Sequence, residues 1–209
     1  MKYVGITLRV SENAEYIERR DCIDQRWIEL VLGIGFIPIL IPNNITYVDD
    51  MFSQFEFDSF ILTGGNDLVK YNGNSPERDM VEKSILMYCV KRRIPLLGVC
   101  RGMQVVQDFY GISLERVPSH VAVSHPLEII YETRFPAYFK NISNVNSFHK
   151  LGTYSTKDPL KVVARAPDGL VEAVEHNSLP ILGQMWHPER ENPVDIEQAR
   201  FLKKFLGNI

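Results

Sequence analysis

The sequence predicts an α/β fold: a mostly parallel central sheet with helices on both faces, continued by an antiparallel extension. Three observations predict it. Strand-like and helix-like stretches alternate from the N-terminus to Gly111, the rhythm of a parallel sheet built with right-handed crossovers. After Gly111 the pattern changes to short alternating segments separated by turn signals. Between two of those segments lies Pro167-Asp168-Gly169, a hairpin turn in which proline presets one residue and glycine accepts positive φ.

Taken in order, residues 3–8 read as the first strand and residues 9–20 as a polar, charge-rich loop. Residues 22–32 carry Trp27, Leu30 and Val31 on one helical side, closed by Gly33 and Gly35. The apolar run Phe36-Ile37-Pro38-Ile39-Leu40-Ile41 then reads as a buried strand. A short helix over residues 48–55 leads to a third strand, Ser59-Phe60-Ile61-Leu62, which ends at Thr63-Gly64-Gly65-Asn66-Asp67, where paired glycines mark a special backbone. The longest helical pattern covers residues 76–92. Pro76 suits its first turn, Met80, Val81, Ile85, Leu86 and Tyr88 supply its apolar positions, and Lys91-Arg92-Arg93 complements the negative end of its dipole. Beyond Gly111, residues 127–131, 162–166, 170–175 and 181–186 read as strands, antiparallel in part. Residues 193–206 form a final amphipathic helix with Ile196, Ala199, Leu202, Phe205 and Leu206 on one side. No repeat, low-complexity tract or linker divides the chain, so residues 1–209 are expected to form one domain, long enough to bury a core without disulfides.

The stretch Ile94-Pro95-Leu96-Leu97-Gly98-Val99-Cys100-Arg101-Gly102-Met103-Gln104 concentrates the chemistry. An apolar strand runs into a cysteine flanked by glycines at minus two and plus two, the cysteine form of the nucleophile elbow. Met103, Val105, Val106, Phe109 and Tyr110 follow at helical spacing, which places Cys100 at a helix N-terminus. There, unpaired N–H groups and the helix dipole favour a thiolate over a thiol. Cys100 is therefore the candidate nucleophile.

The formal net charge of −3 and pI near 6.0 exclude a surface built for many phosphate contacts, so no nucleic-acid partner is expected. No apolar run approaches the roughly 20 residues that span a bilayer, and Met1-Lys2-Tyr3-Val4-Gly5-Ile6 enters a strand rather than a signal peptide. No membrane partner and a cytoplasmic location are the expectations. The three cysteines, Cys22, Cys89 and Cys100, lack a CxxC pair and suggest neither a disulfide framework nor a zinc site. Cys22 and Cys89 lie in helix-like stretches and read as small packed side chains.

A thiolate nucleophile needs a histidine to hold or move its proton, and often a third group to orient that histidine. Of His120, His125, His149, His176 and His187, only His187 ends a strand-like run and has a carboxylate two residues on, in Gly183-Gln184-Met185-Trp186-His187-Pro188-Glu189. Pro188 restricts the backbone between them so that Glu189 reaches one ring nitrogen while the other faces Cys100. His120, His125 and His176 read as structural or surface groups. His149 sits at an expected pocket rim, where a structural role competes with a binding one. Arg9, Arg19, Arg20 and Arg26 form a charged face, with Arg9 at the carboxyl end of the first strand, where open α/β sheets place ligands.

Gly98-Val99-Cys100-Arg101-Gly102-Met103-Gln104 together with Trp186-His187-Pro188-Glu189 resembles the class I glutamine amidotransferase superfamily. Thr63-Gly64-Gly65-Asn66-Asp67 is similar to its glycine-rich oxyanion strand, and Val145-Asn146-Ser147-Phe148-His149 to its substrate-contacting segment. The four motifs, in this order, point to the γ-glutamyl-γ-aminobutyrate hydrolase-like, C26-type branch. The chain departs from that branch at His149-Lys150, where the branch commonly carries His-His. The resemblance implies a three-layer class I glutamine amidotransferase-like fold. It implies Cys100 as nucleophile, His187 as acid and base, Glu189 as orienting carboxylate, and the backbone N–H groups of Gly65 and Arg101 as oxyanion hole. Gln104, Ser147 and Phe148 match positions that hold the glutamyl group, His149 lies beside them, and Arg9, Arg101 and Lys150 are available for an anionic leaving group. No metal or organic cofactor is needed, the partner is a small-molecule γ-glutamyl amide, and a homodimer is left open. Three functions stand at this point: a γ-glutamyl amide hydrolase, a glutaminase subunit passing ammonia to a synthetase, and a non-catalytic relative. Within the first, the short chain resembles members acting in bacterial capsule phosphoramidate synthesis, which implies a cytidine-diphosphate-linked γ-glutamyl phosphoramidate, with γ-glutamyl-γ-aminobutyrate of polyamine catabolism as the alternative.

Overall fold

The computed structural model describes residues 2–130, 133–139, 142–191 and 193–207. The first half runs β1 (Tyr3–Thr7), β2 (Arg9–Glu12), β3 (Arg19–Cys22), α1 (Gln25–Gly33), β4 (Ile37–Ile41), α2 (Ile45–Gln54), β5 (Ser59–Leu62), α3 (Pro76–Arg92), β6 (Leu96–Val99) and α4 (Arg101–Phe109). The second half adds β7 (Glu115–Arg116), β8 (Val121–Pro126), β9 (Glu128–Ile129), α5 (Pro136–Phe139), β10 (Asn144–Phe148), β11 (Leu151–Gly152), β12 (Leu160–Arg165), β13 (Val171–His176), β14 (Ile181–Gln184) and α6 (Ile196–Leu206).

Eight strands form one sheet in the order β4-β1-β5-β6-β14-β13-β12-β9. The first five are parallel, and β13, β12 and β9 continue the sheet antiparallel, as the change of rhythm after Gly111 predicts. Alternate strand residues bury to opposite faces. Val4, Ile6, Leu97 and Val99 pack with Trp27, Val31, Leu202 and Phe205, so α1 and α6 cover one face. Phe60, Leu62 and Leu96 pack with Val48, Ile85, Met103 and Val106, so α2, α3 and α4 cover the other. The result is the three-layer α/β architecture.

Several elements depart from the sequence expectation for local reasons. Residues 9–20 are not a loop: β2 and β3 pair antiparallel as an exposed ribbon, crossed by the Arg19–Glu12 ion pair. The Asn66 side chain anchors that ribbon, accepting from the Val10 N–H at 2.8 Å and donating to the Val10 carbonyl at 2.9 Å. The run at Phe36–Ile41 forms the sheet's edge strand and is only partly buried, which is where a proline that cannot donate to a ladder belongs. Helices α1, α2 and α6 start at the residues that Asp24, Asn44 and Asp195 cap. In α3, Met80 turns to solvent, while Arg78 and Glu82 take buried positions beside Val81 and Ile85. Of the strand expected over residues 127–131, Glu128–Ile129 pairs with β12 and Tyr131 lies outside the described residues.

Parallel β1, β5, β6 and β14 all end at one edge of the sheet, which brings Arg9, the Thr63-Gly64-Gly65 loop, Cys100 and the segment leading to His187 together. Strands β8 and β10 form a separate two-stranded ribbon beside that edge. No described helix is long and apolar enough to cross a membrane.

Candidate active site

Cys100 sits between β6 and α4 with φ 53° and ψ −106°, a conformation that a side-chain-bearing residue adopts at a cost. Its N–H donates to the Gln184 carbonyl at 2.8 Å, and its carbonyl accepts from the Gln104 N–H at 3.1 Å. Those two bonds hold the sharp turn from strand to helix. The turn also needs a residue without a side chain at plus two: a Cβ on Gly102 would stand 2.1 Å from the Leu62 carbonyl oxygen.

His187 and Glu189 follow β14, and the His187 Nδ1 lies 2.7 Å from Glu189 Oε1 with both residues buried. Asn146 on β10 fixes the His187 backbone from the ribbon side, accepting from its N–H and donating to its carbonyl, each at 2.9 Å. Burial pushes the Cys100 thiol upward. The hydrogen bond and charge of His187, with the His149 charge and the Arg101 N–H, outweigh it and bring the thiol below its ordinary range. Burial lowers His187, but its bonds to Cys100 and Glu189 win and raise it from 6.5 to about 9. The pair is therefore arranged as thiolate and imidazolium.

The Thr63-Gly64-Gly65 loop lies against this pair: a Cβ on Gly64 would stand 2.6 Å from His187 Cε1 and 3.4 Å from Cys100 Cβ. Arg78 sets the loop's orientation. Its guanidinium donates to the Thr63 carbonyl at 2.8 Å, to the Gly64 carbonyl at 3.2 Å and to the Gly65 carbonyl. In a trans peptide the N–H points opposite to the preceding carbonyl, so the Gly65 N–H is turned away from Arg78. Glu82 holds Arg78 at 2.8 Å and also accepts from Thr7 Oγ1 at 2.9 Å and from Arg101. Burial lowers Arg78 to about 9, which leaves it a cation at neutral pH. Sequence reasoning on apolar spacing missed Arg78 and Glu82. Their i, i+4 spacing on the Val81 side of α3 is the signal that could have found them.

The expected binding residues divide. Gln104 is buried and donates to the Leu151 carbonyl at 3.1 Å. Ser147 is buried, and its hydroxyl donates to the His120 carbonyl at 3.0 Å. Phe148 is half-exposed, its ring edge-on to His187 at 5.9 Å and capped by the Arg190 guanidinium at 4.4 Å. Arg9 packs its guanidinium on Gly65, 3.1 Å from where a Cβ would be. With Arg190, Asp24, Trp27, Gly64, His187 and Glu189 it lines a cavity of about 320 Å³. Arg190 and Arg26 also border an adjoining cavity of about 550 Å³ with Asn146 and Phe148. Arg190 was missed by the sequence reading. The Arg101 side chain corrects an expectation: it is 1% exposed and committed to Asp79 and Glu82, so it does not reach a leaving group, although its N–H faces Cys100. Lys150 is exposed on the turn after β10 and is not among the residues lining either cavity. His149 is buried and its ring faces Glu172 rather than forming a rim.

Fold and site together define a protein of the class I glutamine amidotransferase-like type. A glutamine amidotransferase of Thermotoga maritima shares that fold, with a TM-score of 0.65 at 14% identity over 99% of this chain and 94% of that one. Residues 2–189 match the peptidase C26 model, and the chain belongs to the peptidase C26 family, which makes it an enzyme, a cysteine-type hydrolase of amide bonds. It is 33% identical over 212 residues to the gamma-glutamyl-CDP-amidate hydrolase of Campylobacter jejuni subsp. jejuni serotype O:2, covering 99% of this chain and 98% of that protein. It is 29% identical over 199 residues to the gamma-glutamyl-gamma-aminobutyrate hydrolase of Escherichia coli O157:H7, covering 80% and 78%.

Proposed function

We propose that the enzyme hydrolyses γ-glutamyl amides whose leaving group is anionic, with a cytidine-diphosphate-linked γ-glutamyl phosphoramidate as its substrate. The Cys100 thiolate attacks the γ-carbonyl, and the S–C bond forms as the carbonyl oxygen takes charge. The N–H groups of Gly65 and Arg101 receive that oxyanion; one such donor is worth about 3 kcal/mol of barrier. His187 protonates the departing nitrogen as the C–N bond breaks, releasing cytidine diphosphoramidate. It then takes a proton from the water that attacks the thioester, and glutamate leaves as the C–S bond breaks. Glu189 holds the imidazole in the required tautomer throughout. Gln104, Ser147 and Phe148 hold the glutamyl end.

The observation that carries the leaving-group assignment is the placement of Arg9 and Arg190 around the cavity that opens directly on His187; Arg26, beyond, is held by Asp24. Two guanidinium groups are matched to the several oxygens of a diphosphate, whereas the single carboxylate of a γ-aminobutyrate leaving group engages only one of them. The near full-length likeness to the Campylobacter enzyme supports the same assignment. The test is glutamate release from the γ-glutamyl phosphoramidate nucleotide, γ-glutamyl-γ-aminobutyrate and free glutamine, with a Cys100→Ala control that abolishes all turnover. The nucleotide is expected to be cleaved much faster than the other two. Equal rates on all three refute the assignment, and activity on glutamine that appears only with a partner protein identifies an ammonia-delivering role instead.

A further inference from the structure

Behind the glutamyl-binding residues, three histidines converge on one carboxylate. Glu172 on β13 is fully buried, and both its oxygens lack a hydrogen-bond partner among the described residues. Its Oε1 lies 3.6 Å from His120 Nδ1, 3.6 Å from His125 Nε2 and 3.3 Å from His149 Nε2. The outward nitrogen of each ring is already spoken for: His120 Nε2 meets Asp168 Oδ2 at 3.1 Å, His125 Nδ1 the Pro126 carbonyl at 3.0 Å, and His149 Nδ1 the Leu151 carbonyl at 3.2 Å. Those acceptors take an N–H from His120 Nε2 and His125 Nδ1 and leave the other nitrogen of each ring facing inward, while the bond and charge of Glu172 raise His149 despite its burial. The inward nitrogens of His120 and His125 then present lone pairs to a carboxylate. The Ser147 hydroxyl, 3.3 Å from His120 Nδ1, gives its proton to the His120 carbonyl and adds one more lone pair. Such a nest of lone pairs is repulsive unless a positive charge sits inside it.

We propose that His120 Nδ1, His125 Nε2 and Glu172 bind a zinc-class divalent cation, with His149 braced against the same carboxylate. The three donor atoms lie within 4.8 Å of one another. Ligands of a tetrahedral zinc ion with bonds of about 2.0–2.1 Å stand about 3.4 Å apart, close to the spacing found here. The outward bonds of His120 and His125, to a carboxylate and a carbonyl, are the outer support that metal-ligating histidines make. The role is structural. Among the described residues strands β8 and β10 pair only with each other, and the ion would tie His120 and His125 at this ribbon to Glu172 in the main sheet. That fixes Asn146, Ser147 and Phe148 relative to Cys100, while the reaction itself proceeds without the metal. The sequence shows no zinc spacing because the ligands come from positions 120, 125 and 172, without the short-range pairs that mark cysteine sites.

The experiment uses the full chain, stripped with a chelator and then given Zn2+ or Co2+, alongside His125→Gln and Glu172→Gln. Wild type is expected to retain one zinc per chain, to melt about 5–10 °C higher with zinc than without it, and to give the intense visible absorption of tetrahedral Co2+. Both variants are expected to lose all three signatures. His125 is at the cluster's edge, so His125→Gln carries the test should Glu172→Gln fail to fold. A wild type that takes up no metal from excess zinc, or a His125→Gln that binds it equally, overturns the proposal. So does a stripped protein whose melting temperature ignores zinc but falls as pH rises above about 6.5, because protons rather than a metal then fill the cluster. None of the readouts needs a substrate, so a negative result here leaves the reading of Cys100 untouched.

Discussion

Replacing Glu189 by Gln tests the electrostatic reading of the site most directly. In the wild type the reactive thiolate–imidazolium pair exists between two limits: below, the depressed titration of Cys100, and above, the loss of the His187 proton near pH 9. The rise of His187 from 6.5 to about 9 represents about 3 kcal/mol in favour of the imidazolium. Cys100, the larger contributor, and Glu189 supply that together against the opposing burial, so the Glu189 share is on the order of 1.5 kcal/mol, or roughly a factor of ten in the protonation equilibrium. In Glu189→Gln the upper limit therefore moves down by about one pH unit. The lower limit stays near its wild-type place, because His187 is still the cation beside Cys100 there. The assay is the rate of alkylation of Cys100 by iodoacetamide from pH 4 to 9, with Cys100→Ala subtracting the half-buried Cys22. Wild type should pass from ion-pair to free-thiolate reactivity near pH 9, and the variant about one unit lower. Hydrolysis should fall further, by about 10³, because the amide no longer enforces the tautomer of His187. Superimposable alkylation profiles would refute the pairing of Glu189 with a charged His187.

Two further substitutions probe the geometry. Gly64→Ala puts a methyl 2.6 Å from His187 Cε1, so kcat/KM should drop about a hundredfold while the melting temperature stays near wild type; unchanged kinetics would mean that the loop does not confine the imidazole. Cys100→Gly removes the side chain from a position at φ 53° and should stabilise the protein by about 1 kcal/mol or more relative to Cys100→Ala. Equal denaturant midpoints for the two variants would show that the elbow stores no strain.

The parallel half of the sheet was legible because a strand buried on both faces leaves a continuous apolar signature, and because elbow glycines sit where only hydrogen fits. Cys100, His187 and Glu189 were legible for the related reason that each follows a strand end or a proline that fixes its direction. The ribbon of β2 and β3 was not, since its stability comes from ion pairs such as Arg19–Glu12 and from the Asn66 bonds to Val10, none of which has a period. The Arg78–Glu82 brace and the convergence on Glu172 were hidden for another reason. Buried charges look like surface charges in a sequence, and only the fold reveals that α3 and β13 turn them inward.

The sheet order places the Thr63-Gly64-Gly65 loop, Cys100 and the segment leading to His187 after three strands that are immediate neighbours, β5, β6 and β14, with partners on both sides and helices over both faces. Backbone amides there open to solvent only when the whole sheet comes apart, whereas the two-stranded ribbon carrying Arg9 opens by local fluctuation. In native-state hydrogen exchange Cys100 would thus ride on the slowest-exchanging part of the molecule, and Arg9, proposed above to meet the leaving group, on the fastest. A protein divided in that way can loosen its hold on one leaving group and adopt another without loosening the chemistry.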